Sequence, residues 1–226
     1  MSRERDILVD ERTALTNRIA GLLATQGIRG YRPLGRDCRA RLEDLKTGDG
    51  RPLPPGLKAE IGRELDRLEL VKQQIAEVEA ARDALLAVQN KAPGKLLLQL
   101  RSIGPEIASV LWLEGFYRHF DNRRQLAAFS GLAPSPWRSG KIDHDQGIAK
   151  SGNAKLRTTM IELSWLWLRY QPDSALRQWF RERVRGNDTR RYRKITIVAL
   201  ARKLLIALWR YVTDRVLPEG AVFKAG

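Results

Sequence analysis

The sequence has one cysteine, Cys38, and two histidines, His119 and His144, among its 226 residues. A single cysteine excludes a disulfide framework and any zinc site built on several cysteines. Two histidines leave little room for a histidine-rich metal centre. The Asp-His-Asp run at residues 143–145 does not change this, because three consecutive residues cannot all face one ion and the other ligands are missing. We therefore expect no metal site and no cofactor in this chain.

Apolar runs long enough to cross a membrane are also lacking. The stretch 195–209 is interrupted by Arg202 and Lys203, which indicates a buried helix. Residues 1–6 are charged and no apolar segment follows them, so no secretory signal is visible. With 43% hydrophobic and 30% charged residues, the composition is that of a folded globular protein and not of a disordered tail. We expect a cytoplasmic, nucleoid-associated protein without a membrane partner.

Acidic residues are scarce relative to basic ones, and the imbalance is local. The chain has 41 Lys and Arg against 26 Asp and Glu, a net charge of +15. Residues 1–93 have 17 basic and 15 acidic side chains, a net of +2, whereas residues 94–226 have 24 and 11, a net of +13. A surplus of this size points to a polyanionic partner, for which DNA is the leading candidate. We expect the first part to be a scaffold and the second to bind DNA.

The amino-terminal part, residues 1–91, has the pattern of a helical hairpin or coiled-coil arm. Apolar residues at helical spacing predict one helix over about 3–26 and a longer one over about 57–90. An antiparallel pairing, within one chain or in a homo-oligomer, would bury both apolar stripes. Residues 46–56 contain prolines and glycines and predict a loop. The Arg-rich segment 27–41 can be read as a nucleic-acid contact or as a solvated turn.

The carboxy-terminal part, residues 92–226, is predicted to be a compact basic helical domain, so the fold class is all-α. Residues 96–112 have the pattern of a helix–hairpin–helix, in which Gly104 allows close approach to a DNA phosphate. Asp121 is a candidate cap for the next short helix. Further helices are predicted from residues 151–153 to about 170, over 175–184 and over about 194–216. Between the last two, residues 186–194 are predicted to form a turn.

Residues 135–153 are the least regular stretch of this part and are predicted to form a polar loop. Ser139 lies there, and its hydroxyl can attack a phosphodiester only if cations neutralise the transition state and a base removes the proton. Asp143 and His144 are both within sequence reach as the base. Ser130 and Ser151, which also precede glycines, are interpreted as helix caps. The cations that can hold phosphates are Arg138, Lys141, Lys150 and Arg157.

A second basic cluster precedes the last helix. Arg190, Arg191 and Arg193 surround Tyr192. Basic residues interleaved with an aromatic ring favour contact with a nucleic-acid backbone together with stacking on a base. We therefore predict that these three arginines also bind DNA.

Four motifs carry a resemblance to a known family. They are residues 100–106 (LRSIGPE), 120–134 (FDNRRQLAAFSGLAP), 137–140 (WRSG) and 146–157 (QGIAKSGNAKLR). In this order and spacing they resemble the carboxy-terminal domain of the IS110-like insertion-sequence transposases, the IS116/IS902 group, which are also known as bridge-RNA-guided recombinases. Residues 8–28 are similar to the start of the family's linker.

The resemblance implies specific roles. The serine of the Ser-Gly motif, Ser139 by position, is the family's nucleophile for a covalent link to DNA, with Ser135 as the alternative if the register differs. The family also has an amino-terminal RNase H-fold domain whose four acidic residues hold metal, and this chain is expected to start after it. The resemblance therefore implies half of a composite active site, Mg²⁺ only on the absent domain, and a guide RNA as a candidate partner.

We therefore expect a DNA transposase or site-specific recombinase that binds DNA and cleaves a strand through Ser139. Because the acidic domain is expected to be absent, this chain by itself is expected to be inactive. The alternative is a non-catalytic nucleic-acid-binding module, left by truncation of a transposase and dimerising through the helical arm.

Overall fold

The computed structural model describes residues 2–88, 93–139, 142–148 and 151–224, with the backbone alone for residues 88, 135–139 and 142–146. Within these residues the secondary structure is helical except for one two-stranded sheet, which confirms the all-α class. The α-helices are α1 (Ser2–Ala24), α2 (Cys38–Asp44), α3 (Pro55–Val88), α4 (Pro93–Leu98), α5 (Pro105–Val110), α6 (Arg123–Phe129), α7 (Ala154–Tyr170), α8 (Ala175–Val184) and α9 (Arg190–Asp214). A π-helical segment (Leu111–Phe116) continues α5, and the strands are β1 (Pro134–Ser139) and β2 (Ile142–Ile148).

The chain folds as two compact units, Met1–Arg82 and Asp83–Gly226. Our sequence-based division at residues 91/92 remains a prediction, and the structural division falls nine residues earlier. The charge asymmetry is the same for the structural units, because residues 1–82 have a formal net charge of +2 and residues 83–226 one of +13. No helix among the described residues is both long and apolar enough to span a membrane.

The first unit is built on α1 and α3, which run antiparallel. Arg5 Nε lies 2.5 Å from Glu79 Oε1, and Arg18 Nη1 lies 3.0 Å from Glu64 Oε2. The start of α1 therefore contacts the later part of α3, and the later part of α1 contacts an earlier part of α3. The apolar stripe predicted from the 3.6-residue period is buried between them. Its buried members are Leu15, Ile19, Leu23, Ile61, Leu65, Leu68, Val71 and Ile75.

Helix α2 begins inside the segment 27–41, for which the sequence indicated a turn or a nucleic-acid contact. In α2, Leu42 is 5% exposed and packs on the α1–α3 core, which holds the segment against the unit. The Tyr31 hydroxyl donates to the carbonyl oxygen of Cys38 over 2.7 Å, just where α2 begins. Burial raises the pKa of Tyr31 to about 12. Residues 38–41, the end of the 27–41 segment, therefore belong to the packed unit.

The second unit is organised around the packing of α7 against α9. Trp167 of α7 is fully buried among leucines of both helices, and its indole Nε1 donates to Ser174 Oγ over 2.9 Å. Ser174 caps α8 by accepting from the amide of Arg177. The carboxy-terminal segment closes the unit, because the Gln171 side chain hydrogen-bonds to both backbone groups of Val222. The core is therefore continuous from α7 to the end of the described chain.

Several predicted boundaries are wrong by a few residues for identifiable reasons. The short helix α6 is capped by Asn122, whose side chain accepts from two backbone amides, and not by Asp121. The cap of α7 is Asn153, which accepts from the amide of Leu156, and not Ser151. Helix α9 begins at Arg190, inside the predicted turn, because Thr189 accepts from the amide of Tyr192 and starts the helix early.

The predicted irregular loop is also wrong in part, because residues 134–148 contain an antiparallel hairpin. Pro134 pairs with Ile148 and Pro136 with Asp145, so two residues of β2 oppose one residue of β1. This is a β-bulge, and Gly147 within it has φ +85, which glycine adopts without steric cost. Sequence analysis missed the hairpin because its strands lack the alternating apolar pattern that predicts a strand.

Candidate nucleic-acid interface

Helix α9 has two functional faces. One face is buried in the core of the second unit through Leu200, Leu204 and Leu208, which are all 0% exposed. The other face carries Ile195, Val198 and further residues at steps of three and four, and it lines a groove. The helix therefore joins the packing core to a surface that is partly apolar and partly basic.

The groove lies between α6, the base of the β-hairpin and α9, and it has a volume of about 1540 Å³. Its lining combines an apolar floor with a basic rim. The apolar members are Leu132, Pro134, Ile148, Ile195, Val198, Ala199 and Ile206. The basic members are Arg123, Arg124, Arg190, Arg191, Lys194, Arg202 and Lys203. We call this surface the basic groove, and none of the lining residues whose side chains the structure describes is acidic.

The cations of the basic groove have no neutralising partner within the described part of the chain, where no carboxylate forms an ion pair with any of the seven. Lys203 is instead held over the Trp179 ring, with its Nζ 4.8 Å from the ring centroid, a contact that fixes the side chain and keeps its charge. Arg193, predicted to bind DNA, lies 3.3 Å from Asp188 and does not line the groove. The structure thus brings Arg190 and Arg191 together and separates Arg193 from them.

Like charges at the amino terminus of α9 oppose the helix dipole. Arg190, Arg191 and Lys194 occupy its first five residues, where cations are unfavourable and an anion is stabilised. Their mutual repulsion adds to this cost. A phosphate backbone in the groove would remove both penalties, so the local electrostatics favour an anionic occupant.

The β-hairpin rises from the edge of the basic groove. Pro134 and Ile148, which pair at its base, both line the groove, and Ile148 also packs against the core. The ladder ends at the pair Ser139↔Ile142. Ser139 is five residues along an extended strand from Pro134, a span of about 17 Å at ~3.3 Å per residue. The strand that carries Ser139 is therefore short and is anchored at the edge of the groove.

The register separates the two candidate bases. Paired residues of an antiparallel ladder share a face, and so do residues two apart on a strand. Ser139 pairs with Ile142 and Trp137 pairs with His144, which places Ser139 and His144 at positions of one face. Asp143 pairs with Arg138 and belongs to the other face. His144 is thus the better placed of the two by register, while the side chains of these residues lie outside the described part.

The other two serines that precede a glycine, Ser130 and Ser151, lie near the end of α6 and before α7. Ser130 is fully buried and its hydroxyl donates to the carbonyl oxygen of Ala127 over 2.9 Å, at the end of α6. Ser151 is exposed and precedes Gly152, where a side chain could not fit, because a Cβ would lie 2.6 Å from the Phe129 carbonyl oxygen. Ser130 is therefore shielded from any DNA strand.

Two further predicted phosphate contacts, Gly104 and Arg157, do not line the basic groove. Gly104 precedes α5 with φ −91, and a Cβ there would meet nothing within 4 Å, so packing within the chain does not require glycine. Lys155 of α7 lies 4.0 Å from Glu106 of α5, and Arg157, half-buried on α7, does not line the groove. Lys141 and Lys150 lie outside the described residues. Gly104 and Arg157 are thus not grouped with Arg190 and Arg191.

The sequence-based predictions did not include four cations of the basic groove: Arg123, Arg124, Arg202 and Lys203. Arg202 could have been found, since residues 191, 194, 198, 202 and 206 recur at steps of three and four along α9. Those on α6 could not, because they are more than sixty residues away in sequence.

The acidic site that the resemblance implies has no counterpart in the described residues. No group of three or more His, Cys, Asp or Glu side chains within them could hold a metal ion. These residues therefore do not fit a magnesium centre.

Comparison with known proteins identifies relatives of the chain. Residues 94–179 match the model of the transposase family described as IS116/IS110/IS902. A protein of Sinorhizobium fredii named as the transposase y4rJ is 59% identical over 99% of this chain and 59% of its own length. A protein of Pseudomonas aeruginosa named as a family 20 transposase is 33% identical over 92% of this chain and 61% of its own length.

A third relative is the transposase of insertion sequence element IS1111A from Coxiella burnetii, 28% identical over 92% of this chain and 56% of its own length. The chain thus spans about three fifths of the length of the relatives that it matches. The matched region 94–179 contains α6, the β-hairpin and α7, which is the part that carries Ser139 and one side of the basic groove. Residues 94–179 are therefore a domain of the IS116/IS110/IS902 family of transposases.

Proposed function

We propose that this protein binds DNA through its second unit and cleaves a DNA strand in insertion-sequence transposition, with Ser139 as the nucleophile. The observation that carries the proposal is that the hairpin of Ser139 starts at the edge of a groove whose described side chains include seven cations and no acid. Such a groove attracts a phosphate backbone independently of sequence. The family of residues 94–179 supports DNA transposition as the purpose of that contact.

The proposed chemical step is a transesterification at phosphorus. Ser139 Oγ forms a bond to the phosphorus atom, and the bond from phosphorus to one deoxyribose oxygen breaks. The hydroxyl proton passes to a base, for which the register favours His144 over Asp143. The released deoxyribose oxygen takes up a proton and becomes a hydroxyl. Cations near the phosphate, with Arg138 next to Ser139 in the chain, lower the energy of the pentavalent transition state.

A covalent-capture experiment tests this function. The full chain is incubated, with Mg²⁺ present, with an insertion-sequence end in which a nick lets the cleaved strand diffuse away. The proposal predicts, against the sequence-based expectation that the chain by itself is inactive, a DNA adduct that withstands denaturation and is absent in Ser139→Ala. Ser135→Ala, at the bulge four residues earlier, is the matched control and should retain the adduct. An adduct lost in Ser135→Ala and retained in Ser139→Ala would move the nucleophile to Ser135.

A non-catalytic DNA-binding module is the second candidate function. It is favoured by one observation, namely that the cations lining the basic groove account for DNA binding without any residue that takes part in cleavage. The module predicts DNA binding that weakens steeply with salt, no adduct, and no effect of Ser139→Ala on affinity. The same experiment therefore separates the two functions.

A further inference from the structure

We infer that the basic groove binds one unpaired DNA strand, with its phosphates on the cationic rim and its bases against the aliphatic floor. The inference deepens the proposed function and rests on it for the identity of the polymer. Neither the prediction of individual arginines nor the family match assigns this groove or its floor.

The composition of the groove selects an anionic polymer. Cations line it from two sides, Arg123 and Arg124 from α6, and Arg190, Arg191 and Lys194 from α9. An occupant that bridges both sides must present negative charge along its length. A nucleic-acid strand carries one phosphate per nucleotide and meets this requirement at every step.

The floor distinguishes an unpaired strand from a duplex. Ile195 is 58% exposed, and it lies with Val198 and Ile206 between the cations of the rim. In a duplex the base faces are stacked inside, so the floor would meet phosphates and sugars. An unpaired strand offers apolar base faces to the floor while its backbone stays on the rim. Because the floor is aliphatic, the contact is weaker than aromatic stacking and does not depend on base identity.

The length of the groove sets the size of its ligand. Its α9 side extends from residue 190 to residue 206. Sixteen residues of helix at ~1.5 Å each span about 24 Å. At ~3.4 Å per nucleotide of a stacked strand, this corresponds to about seven nucleotides.

The groove also opens at the base of the hairpin that carries Ser139. A strand leaving the groove past Pro134 needs about 17 Å, or roughly five stacked nucleotides, to reach the level of Ser139. The groove would therefore hold the strand a few nucleotides away from the phosphate that is attacked.

The test measures binding by the full chain in the Ser139→Ala background, so that no strand is cut. The probes are fluorescent mixed-sequence DNA strands of 4, 8 and 12 nucleotides and the 12-base-pair duplex. We expect affinity to rise at least tenfold from 4 to 8 nucleotides and less than threefold from 8 to 12. A rise that continues at the same rate beyond 8 nucleotides would contradict the assigned length.

Rim and floor are tested separately against matched controls. The triple variant R124Q/R191Q/K194Q removes three groove cations, and R181Q/R183Q/R185Q removes three exposed cations at the end of α8 and its C-cap in the same unit. We expect the groove variant to bind the 8-mer at least tenfold more weakly. The slope of log affinity against log salt concentration should also fall in magnitude by about 2, since each phosphate contact contributes ~0.7 to it for a single strand. The α8 variant should change affinity less than threefold. Equal losses in both variants would overturn the assignment.

The floor variant Ile195→Ser should weaken the 8-mer about fivefold and the duplex less than twofold, because only base faces contact the floor. Leu217→Ser, at another exposed apolar residue of the unit, is its control. If Ile195→Ser lowered the affinity for the strand and for the duplex equally, the floor would not contact unpaired bases. If the protein bound neither probe, an acidic protein partner would be favoured instead.

Failure of this inference is distinguishable from failure of the proposed function. A missing adduct leaves the binding results unchanged, because they are obtained without Ser139. Conversely, an adduct yield that R124Q/R191Q/K194Q does not change would support Ser139 as the nucleophile and contradict the assignment of the groove as the strand-binding site.

Discussion

At the scale of single residues, the second unit depends on polar groups that are buried and fully used. Trp167 and Ser174 are both 0% exposed, and the Ser174 oxygen accepts from the indole of Trp167 and from the amide of Arg177. One serine thereby ties α7 to the start of α8. A buried hydroxyl with two donors is satisfied, whereas the loss of a donor leaves a desolvated lone pair.

Trp167→Phe should therefore lower the free energy of unfolding by about 2–3 kcal/mol, since it removes the indole donor and leaves a small cavity. The measurement is urea denaturation followed by far-UV circular dichroism. Trp165→Phe, two residues earlier on the same helix and 41% exposed, is the control and should cost less than about 1 kcal/mol. Equal losses in the two variants would show that the hydrogen bond to Ser174 contributes nothing.

At the scale of elements, the sequence predicts helices better than the hairpin or the groove. Helix α8 has the predicted bounds 175–184, and the α1–α3 pair follows from the spacing of residues such as Ile19 and Ile61. Both rest on local periodicity, which the sequence contains directly. The basic groove joins α6 to α9 across more than sixty residues, and only tertiary packing brings these cations together. Ser139 was a candidate from its polar, basic segment and was assigned as nucleophile by the resemblance, while its place on a ladder came from the fold.

The β-bulge of the hairpin leads to a prediction about how Ser139, the proposed nucleophile, is positioned. Gly147 has φ +85 in the bulge, and a Cβ there would meet nothing within 4 Å, so the backbone conformation alone favours glycine. Gly147→Ala should cost about 1–2 kcal/mol locally, because an L-residue in this conformation is strained. We expect the bulge to shift and the yield of Ser139 adduct to fall at least tenfold, while the melting temperature of the whole protein changes little.

Gly186→Ala, at a glycine with negative φ and no neighbour within 4 Å of a Cβ, is the matched control and should keep the adduct yield. Adduct formation and circular dichroism are measured on the same samples. An unchanged yield in Gly147→Ala would mean that the bulge does not position Ser139.

At the scale of the whole molecule, the two units divide their tasks by charge. The first unit has a formal net charge of +2 and the second one of +13, although both expose many arginines. In the first unit basic side chains are matched by acidic ones, as in the pairs Arg5–Glu79 and Arg18–Glu64. A long-range field that attracts a polyanion therefore comes from the second unit, while near neutrality leaves the first unit suited to a scaffold.

This division predicts which cations set the salt dependence of DNA binding. Arg29, Arg32 and Arg36 are exposed in the first unit and lie in the segment that sequence analysis left open between a DNA contact and a solvated turn. The variant R29Q/R32Q/R36Q removes the same charge as R124Q/R191Q/K194Q. If the second unit alone contacts the backbone, the slope of log affinity against log salt should change by less than about 0.5 in the first variant and by about 2 in the second. Titrations between 50 and 300 mM KCl measure both slopes. Only cations that displace counterions from phosphates contribute to the slope. A similar change in the two variants would therefore assign the first unit to the DNA interface.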